Sequence, residues 1–301
     1  MKLTILGCYS ATPKLSTHTT SQVLEINNHI FLIDCGEGTQ VQLRRRKIKF
    51  SRIKHIFISH LHGDHFFGLI GLISSFGLLN RETELHVYGP KGIKEIIVLQ
   101  LKLSKSWTKF PLYFHELEST EAEVIFEDKK VSVETIPLEH RVYTNGFLFR
   151  EKPGERKLLV EEVRKHNIDV AYYNSIKKGK DIQLEDGTKV PNEMLTNPPR
   201  DPFAYAFCSD TVYKPAIIPQ LRGINMLYHE STFLEKHLDK AHKTKHSTAK
   251  QAAEIAKAAE VGKLILGHYS TRYANLNLFL EEAKSVFQNV ELAEDGKIFE
   301  L

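Results

Sequence analysis

Four of the six residues in the segment His60-Leu61-His62-Gly63-Asp64-His65 have side chains that bind transition metals at neutral pH. The segment follows a β-branched and aromatic run that predicts a buried strand, and it precedes an apolar stretch over 66–79 that predicts a helix. Its first two histidines lie on one side of an extended chain and can share one ion. Its aspartate and last histidine begin the helix and can hold a second ion. The spacing therefore predicts a metal centre on a strand-to-helix turn.

Side chains of the same kinds follow other apolar runs further along the chain. Each run predicts a strand, and the polar side chain comes at the end of the strand or just after it. Scattered surface histidines would not show this placement. The side chains concerned are His140, Asp210, His229 with Glu230, and His268.

These residues together predict a centre with two metal ions. Zinc suits the nitrogen and oxygen donors best, although manganese or iron is compatible with the same set. A water held between ions about 3.5 to 4 Å apart ionises near neutral pH, and the resulting hydroxide can attack a phosphodiester whose oxygens the metals neutralise. We assign His60, His62 and His140 to one ion, Asp64, His65 and His268 to the other, and Asp210 to a bridge between them.

His246 lies outside this ligand set, just ahead of a predicted helix. Thr248 is the expected N-cap, and Gln251 three residues later completes a capping-box pattern. Helix N-termini favour anions. The sequence therefore places His246 at a position where binding of an anion is favoured.

Composition limits the class of protein. The chain has 301 residues, which suffice for one large domain or two modest ones, and its formal charge of +4 is compatible with a polyanionic partner without requiring one. Its three cysteines lack CxxC spacing, which favours a reducing compartment. The apolar run at Met1–Leu6 is too short for a signal sequence, and no stretch is long enough to cross a bilayer. We expect a cytoplasmic location and buried cysteines.

Two charged segments leave alternatives open. Seven cations lie within residues 44–54, where they could contact phosphates or form the solvated face of a helix that begins near Glu37. Residues 150–200 are rich in charge and in Gly and Pro, and they lie between two predicted ligands, so they are expected to be an insertion in one domain. Within the insertion, Tyr172, Tyr173, Lys177, Lys178 and Lys180 form an aromatic and basic cluster of the type that binds nucleic acid, or a surface without a partner.

The HxHxDH pattern with its downstream ligands resembles the metallo-β-lactamase fold, which glyoxalases, lactamases and nucleases share. Further segments, spread over nearly the whole chain, are similar to those of the ribonuclease Z family, the endonucleases that trim the 3′ end of precursor tRNA. They are Phe31-Leu32-Ile33-Asp34-Cys35-Gly36-Glu37-Gly38-Thr39-Gln40 in the second strand of a predicted hairpin, His229-Glu230-Ser231-Thr232 (resembling the HEAT motif), His246-Ser247-Thr248 (resembling HST) and Gly267-His268-Tyr269-Ser270-Thr271-Arg272-Tyr273.

The resemblance implies an α/β fold, an αββα sandwich of two mixed sheets over residues 1–301, and a homodimer with two zinc ions per subunit. It implies that Asp64 also accepts a proton from the attacking water. It further implies that His246, assisted by Glu230, protonates the leaving ribose oxygen, so that the tRNA keeps a 3′-hydroxyl. The insertion over 150–200 would be an arm that binds precursor tRNA, with contacts at Tyr172, Lys177, Lys178 and Lys180.

The chain departs from the family pattern in two places. Many members have a Pro-x-Lys-x-Arg-Asn loop, where this chain has Pro13-Lys14-Leu15-Ser16-Thr17. The insertion has Ala171-Tyr172-Tyr173-Asn174-Ser175 in place of a tip rich in Gly and Pro.

Three other functions are consistent with parts of the sequence. A generic two-metal phosphodiesterase needs the same site without an RNA grip, and a small-molecule hydrolase of the same fold needs neither the arm nor His246. A non-catalytic RNA-binding subunit would be expected to have lost ligands, whereas this ligand set is complete.

Overall fold

The computed structural model describes residues 1–12, 14–184 and 186–300, and the chain divides into two compact units. One unit comprises Met1–Arg150 and the chain from Phe203 onwards, and the other comprises Glu151–Pro202. Pro13 of the N-terminal loop, Glu185 of the insertion and Leu301 lie outside the described residues.

The strands are β1 (Lys2–Gly7), β2 (Ser21–Ile26), β3 (His29–Ile33), β4 (Ile53–Phe57), β5 (Leu85–Pro90), β6 (Leu112–Leu117), β7 (Val124–Glu127), β8 (Val131–Pro137), β9 (Asn145–Glu151), β10 (Lys157–Leu158), β11 (Ile182–Gln183), β12 (Lys189–Val190), β13 (Thr196–Asn197), β14 (Ala204–Cys208), β15 (Met226–Glu230), β16 (Lys263–Gly267), β17 (Val290–Leu292) and β18 (Ile298–Glu300). The α-helices are α1 (Thr39–Arg45), α2 (Gly63–Phe66), α3 (Gly68–Leu78), α4 (Ile93–Leu103), α5 (Val160–Lys165), α6 (Tyr173–Lys177), α7 (Asn192–Leu195), α8 (Ile218–Leu221), α9 (Leu238–Thr244), α10 (Ala249–Ala258) and α11 (Asn277–Lys284).

Two seven-stranded mixed sheets form the body of the first unit, in the orders β18-β1-β2-β3-β4-β5-β6 and β17-β16-β15-β14-β9-β8-β7. Strands β3 to β6 are parallel neighbours, and so are β14 to β17. Because parallel strands require crossover connections, helices cover the outer faces of both sheets.

The core between the sheets is aromatic. Phe31 and Phe57 of the first sheet and Phe147 and Phe149 of the second are fully buried. Their rings meet across the interface, with centroids 5.5 Å apart for Phe31 and Phe149 and for Phe57 and Phe147. A second apolar cluster lies between the first sheet and α1, α3 and α4, while α10 and α11 pack on the second sheet. The expected αββα sandwich is therefore confirmed.

Several local predictions are also confirmed. The hairpin between β2 and β3 turns at Asn27 and Asn28, which have φ of 46° and 70°. Thr248 caps α10 in a capping box with Gln251. All three cysteines are free and buried.

The helix predicted over 66–79 is confirmed as α3 (Gly68–Leu78), and a break at Phe67 separates it from the short helix α2. The cause is the close approach of the loop after β3. The amide of Cys35 donates to the carbonyl of His65 at 2.7 Å, and the amide of Gly68 donates to the carbonyl of Cys35 at 2.9 Å. A Cβ on Gly68 would lie 2.1 Å from the carbonyl oxygen of Gly36, so only glycine fits there.

The second unit has its own small core of Val163, Ile168, Ile176, Ile182, Val190 and Leu195. Around it are the short helices α5 to α7 and two two-stranded sheets, β10-β13 and β11-β12. The insertion is thus a folded element in its own right. Within the described ranges of the chain, no helix has the length and apolar character needed to cross a membrane.

Candidate metal centre

The seven predicted ligands come together at the C-terminal ends of strands from both sheets. The loop after β4 and the start of α2 supply four of them, and β8, β14 and β16 are each followed by one more. These seven residues, which we call the donor cluster, are His60, His62, Asp64, His65, His140, Asp210 and His268.

One group of donors consists of His60, His62, His140 and Asp210, whose ligand atoms lie within 4.8 Å of one another. Nε2 of His60 is 3.0 Å from Nδ1 of His62 and 3.5 Å from Oδ2 of Asp210. Nε2 of His140 is 3.8 Å from the same carboxylate oxygen. These atoms surround a volume in which one ion could bind all four.

The second group consists of Asp64, His65 and His268. Nε2 of His65 is 3.3 Å from Nε2 of His268 and 3.4 Å from Oδ2 of Asp64. The other oxygen of Asp210, Oδ1, lies 3.3 Å from His65 and 3.1 Å from His268. Asp210 therefore presents one oxygen to each group, as a bridging carboxylate does.

Three of the seven donors have protonation states that suit cation binding. Burial lowers the pKa of His60 well below its usual range and that of His140 to about 4, so both imidazoles are neutral. Burial raises the pKa of Asp210, but the imidazoles of His268 and His65 outweigh this effect and hold that pKa well below its usual range, so the carboxylate is ionised. Nε2 of His140 is buried and has no hydrogen-bond partner among the described residues. A buried, neutral and unpartnered imidazole nitrogen facing a carboxylate fits a metal ligand.

Asp34 fixes the orientation of two of the histidines. Its Oδ2 lies 2.7 Å from Nδ1 of His65 and accepts a hydrogen bond from the Ser59 hydroxyl at 2.9 Å. Oγ of Ser59 lies 3.0 Å from Nδ1 of His60. With Nδ1 engaged in this way, Nε2 of each ring faces the centre, as in other sites where a carboxylate orients a ligating histidine.

The two histidines that follow strands of the second sheet are oriented in the same way. Nδ1 of His140 lies 2.8 Å from the carbonyl oxygen of Lys245, and Nδ1 of His268 lies 2.9 Å from Oγ1 of Thr232. Both rings therefore also direct Nε2 at the donor cluster.

Three residues of the centre have left-handed backbone conformations. Asp34, Asp210 and His268 have φ of 55°, 57° and 56°, and each directly follows the end of a strand or lies one residue beyond it. Non-glycine residues seldom adopt this conformation, and they do so where a site requires it. The turn redirects each side chain as its strand ends.

Glu230 connects His246 to a metal-ligand candidate. Its Oε1 lies 2.8 Å from Nδ1 of His246, and its Oε2 accepts from the hydroxyl of Thr232 at 2.6 Å. The same Thr232 oxygen contacts His268. Burial lowers the pKa of His246, but the Glu230 carboxylate outweighs it and raises that pKa to about 9. His246 is thus a protonated group beside the donor cluster.

A cavity of about 400 Å³ opens over the centre. It is lined by His62, Asp64, Asp210, His246 and His268, and by three more residues of the segments noted in the sequence, Gly63, Thr232 and Ser270. The residues of the lining that sequence reasoning missed are Ser10, Ala11, Thr12, Arg141, Phe233 and Thr244. The signal for Arg141 was its place next to His140, whereas the others come from loops that no motif connects to the ligands.

Some residues noted in the sequence lie elsewhere. The cations of 44–54 are exposed, and several of them line a separate cavity of about 740 Å³ at the start of β4, whereas the ligands follow the end of that strand. Tyr172, Lys177, Lys178 and Lys180 belong to the second unit, where Tyr172 is 50% exposed. Tyr173 packs against the small core of that unit. His229 is buried inside β15, and its Nδ1 contacts the carbonyl of Glu230.

Comparisons with known proteins agree with the geometry. Residues 1–160 match the family model described as Anti-Pycsar protein Apyc1. Ribonuclease Z of Bacteroides fragilis is 45% identical over 295 residues, which cover 98% of this chain and 97% of the relative. The crystal structure of human tRNase Z, short form, matches with a TM-score of 0.72 at 28% identity over 100% of this chain and 99% of its own. The metallo-β-lactamase fold protein YhfI from Bacillus subtilis matches with a TM-score of 0.69 at 19% identity over 99% of this chain and 98% of its own, which supports the fold.

Proposed function

The chain belongs to the ribonuclease Z family, and on that basis we propose that it is the endoribonuclease that removes the 3′ trailer from precursor tRNA. The observation that carries the proposal is the position of His246. A hydrolase of small esters needs the seven donors, but a phosphodiesterase with a poor leaving group also needs a proton donor. The pair of His246 and Glu230 supplies one beside the donor cluster.

Two divalent ions would lower the pKa of the attacking water and neutralise the charge of the phosphodiester. The donors are nitrogen and oxygen atoms only, a set that favours zinc and allows manganese. His60, His62 and His140 would hold one ion, Asp64, His65 and His268 the other, and Asp210 both. Within this set, we assign to Asp64 the further role of accepting the proton of the water. His65 and His268 lower the pKa of Asp64 despite its burial, so its carboxylate is ionised and carries no proton of its own.

His246 donates its proton to the departing 3′-oxygen of the tRNA, which leaves a 3′-hydroxyl. Glu230 keeps the imidazole protonated and holds its Nδ1, so that Nε2 is the donor. Burial of both side chains strengthens this interaction relative to one in water.

We assign the binding of tRNA to the second unit. Tyr172, Lys178 and Lys180 are exposed there, and Lys177 is partly exposed. None of the three lysines forms an ion pair with a residue that the structure describes, so their charges are available to phosphates. Aromatic and cationic side chains together are typical of surfaces that bind nucleic acid strands.

We also propose a homodimer located in the cytoplasm. Exposed apolar side chains on α1 and around α3 support self-association: Val41, Phe67, Leu78 and Leu79 are 48%, 56%, 84% and 52% exposed. The two helices contact each other, since the Ser75 hydroxyl donates to the Gln40 side chain at 2.8 Å. Surfaces of this kind mark protein contacts. Light scattering of the protein and of the Leu78→Glu variant tests the assignment, with a dimer expected for the first and a monomer for the second.

The direct test of the function is to incubate purified protein with a labelled precursor tRNA, with and without chelator, and to map the cut. We expect one cut at the 3′ end of the tRNA, a 3′-hydroxyl on the tRNA product, and no cut with chelator. A second candidate, a phosphodiesterase of small substrates, needs the same donor cluster but no contacts to RNA. The match of residues 1–160 to a different family model ends before Asp210, Glu230, His246 and His268. Fast turnover of small diesters with none of precursor tRNA would favour this second candidate.

A further inference from the structure

A second cavity, of about 380 Å³, opens beside the metal centre. Arg141 lines both cavities, and the metal-ligand candidate His140 lines the second one. The other walls come from the segment after β6, from the loop between β8 and β9, and from Lys214 after β14. The volume is in the range of small-ligand pockets, about 300 to 1,000 Å³.

One residue of the cavity wall carries a buried acceptor without a partner among the described residues. Asn145 lines the cavity and is 1% exposed. Its Nδ2 donates to the Tyr143 hydroxyl at 2.8 Å, and that hydroxyl donates to the carbonyl of Ser119 at 2.8 Å. The second bond makes the Tyr143 oxygen an acceptor for Asn145, which fixes the orientation of the amide. Oδ1 of Asn145 then has no hydrogen-bond partner among the residues that the structure describes.

Buried amide oxygens in proteins are almost always hydrogen-bonded, because an unpaired one costs free energy. An oxygen left unpaired at a cavity beside a reactive centre is suited to a donor on the ligand, received directly or through one water. Such a donor is an N–H or O–H group.

The charges of the cavity favour an anion. Arg141 is exposed and has no ion pair within the described part of the chain. Lys214 donates one hydrogen bond, to the carbonyl of Pro137 at 3.0 Å, and keeps two donors. The acid in the lining, Glu139, lies 3.3 Å from Nζ of Lys245, which offsets its charge. Val142 and Tyr143 add apolar and aromatic surface.

We propose that this second cavity binds the ribonucleotide next to the scissile phosphate, an inference that rests on the proposed function. Arg141 pairs with a phosphate between the two cavities, and Lys214 provides a second positive charge. The base and ribose pack against Val142 and Tyr143, and Asn145 accepts a hydrogen bond from a base N–H or from the 2′-hydroxyl. The cavity is thereby a specificity site for RNA, separate from the metal centre.

The test uses precursor tRNAs with one modified nucleotide, either directly 5′ or directly 3′ of the cut. A 2′-deoxy substitution removes the hydroxyl, and an abasic substitution removes the base, so the four substrates identify both the position and the donor. We measure kcat/KM for the natural protein, for Asn145→Ala and for the control Asn275→Ala, which changes an exposed asparagine outside both cavities. Metal content of each protein verifies that the centre is intact.

We expect one modification to lower kcat/KM of the natural protein and of the control by about tenfold, and to lower that of Asn145→Ala by less than about twofold. Equal penalties in Asn145→Ala and the natural protein would overturn the proposal, and so would the lack of any penalty. Failure of the natural protein to cut precursor tRNA would instead refute the proposed function.

If Asn145→Ala does not fold, Lys214→Met serves in its place, with Lys257→Met as its control. Lys214→Met is expected to raise KM for precursor tRNA about threefold or more, because one phosphate-directed charge is lost. Lys257→Met, on the outer helix α10, is expected to leave KM unchanged. The same KM for both variants and the natural protein would overturn the proposal.

Discussion

Nδ1 of His246 lies 2.8 Å from Oε1 of Glu230, and both side chains are buried beside the donor cluster. A carboxylate at this distance stabilises the protonated imidazole, which raises the pKa of His246 to about 9 even though burial acts in the opposite direction. His246 is therefore protonated at neutral pH, as a general acid must be, and it loses its proton only as the pH rises through that pKa.

Glu230→Gln removes the negative charge beside His246. The pKa of His246 then falls, so the alkaline limb of the profile of kcat/KM against pH should move to lower pH by about 1 to 3 units. Measuring precursor tRNA cleavage between pH 6 and 10 checks this. An alkaline limb at the same pH in both proteins would show that His246 is not the group that loses the proton.

His246→Ala should lower cleavage of precursor tRNA by about 10² to 10⁴-fold, since the departing ribose oxygen needs a proton. The rate of hydrolysis of bis(p-nitrophenyl) phosphate should fall much less, because p-nitrophenolate can leave without being protonated. The two rates measured on the same preparation test the role. A similar loss on both substrates would mean that His246 acts on the centre itself and not on the leaving group.

Asp34→Asn should weaken metal binding about 10 to 100-fold, because the carboxylate that orients His65 is lost. Competition with a chromogenic chelator measures the affinity. Asp128→Asn is the matched control, since Asp128 pairs with His29 at 2.9 Å away from the centre. Equal metal affinities of the two variants would contradict the role of Asp34.

Removal of most of residues 155–195 should weaken precursor tRNA processing and spare small-diester hydrolysis. The chain there forms its own compact unit with its own core, so its removal takes no side chain from the centre. An equal loss of activity on precursor tRNA and on small diesters would refute the assignment of RNA binding to the second unit.

A finer test of the same surface replaces Lys177, Lys178 and Lys180 with alanine. KM for precursor tRNA should rise, and its dependence on salt should weaken by about two units of the log–log slope, since fewer counterions are released. The matched control replaces three exposed lysines of the first unit, Lys94, Lys257 and Lys284. If the control variant changes the salt dependence by the same amount, tRNA binding depends on the total charge of the protein, and the assignment of binding to these three lysines is contradicted.

The donor cluster was predictable because its chemistry is local. The spacing of His60, His62, Asp64 and His65 determines which side chains share a face, and His140, Asp210 and His268 each follow an apolar strand. The capping box at Thr248 was predictable for the same reason, because its two partners are only three positions apart in the chain.

What the sequence did not show depends on contacts between distant segments. The break between α2 and α3 arises from hydrogen bonds to Cys35, about thirty residues earlier in the chain. The contact of the Thr232 hydroxyl with His268 connects two segments of the chain that are close only because β15 and β16 are neighbours in the second sheet. The free Oδ1 of Asn145 follows from a bond between Tyr143 and Ser119, which no spacing indicates.

The most direct test of the central claim adds zinc stepwise to metal-free protein and measures cleavage of precursor tRNA at each ratio. Two ions held by the seven side chains predict that cleavage reaches its maximum only when the second equivalent is bound, and that Asp210→Ala and His65→Ala stay inactive at any ratio. Full cleavage by metal-free protein, or by Asp210→Ala, would contradict the account.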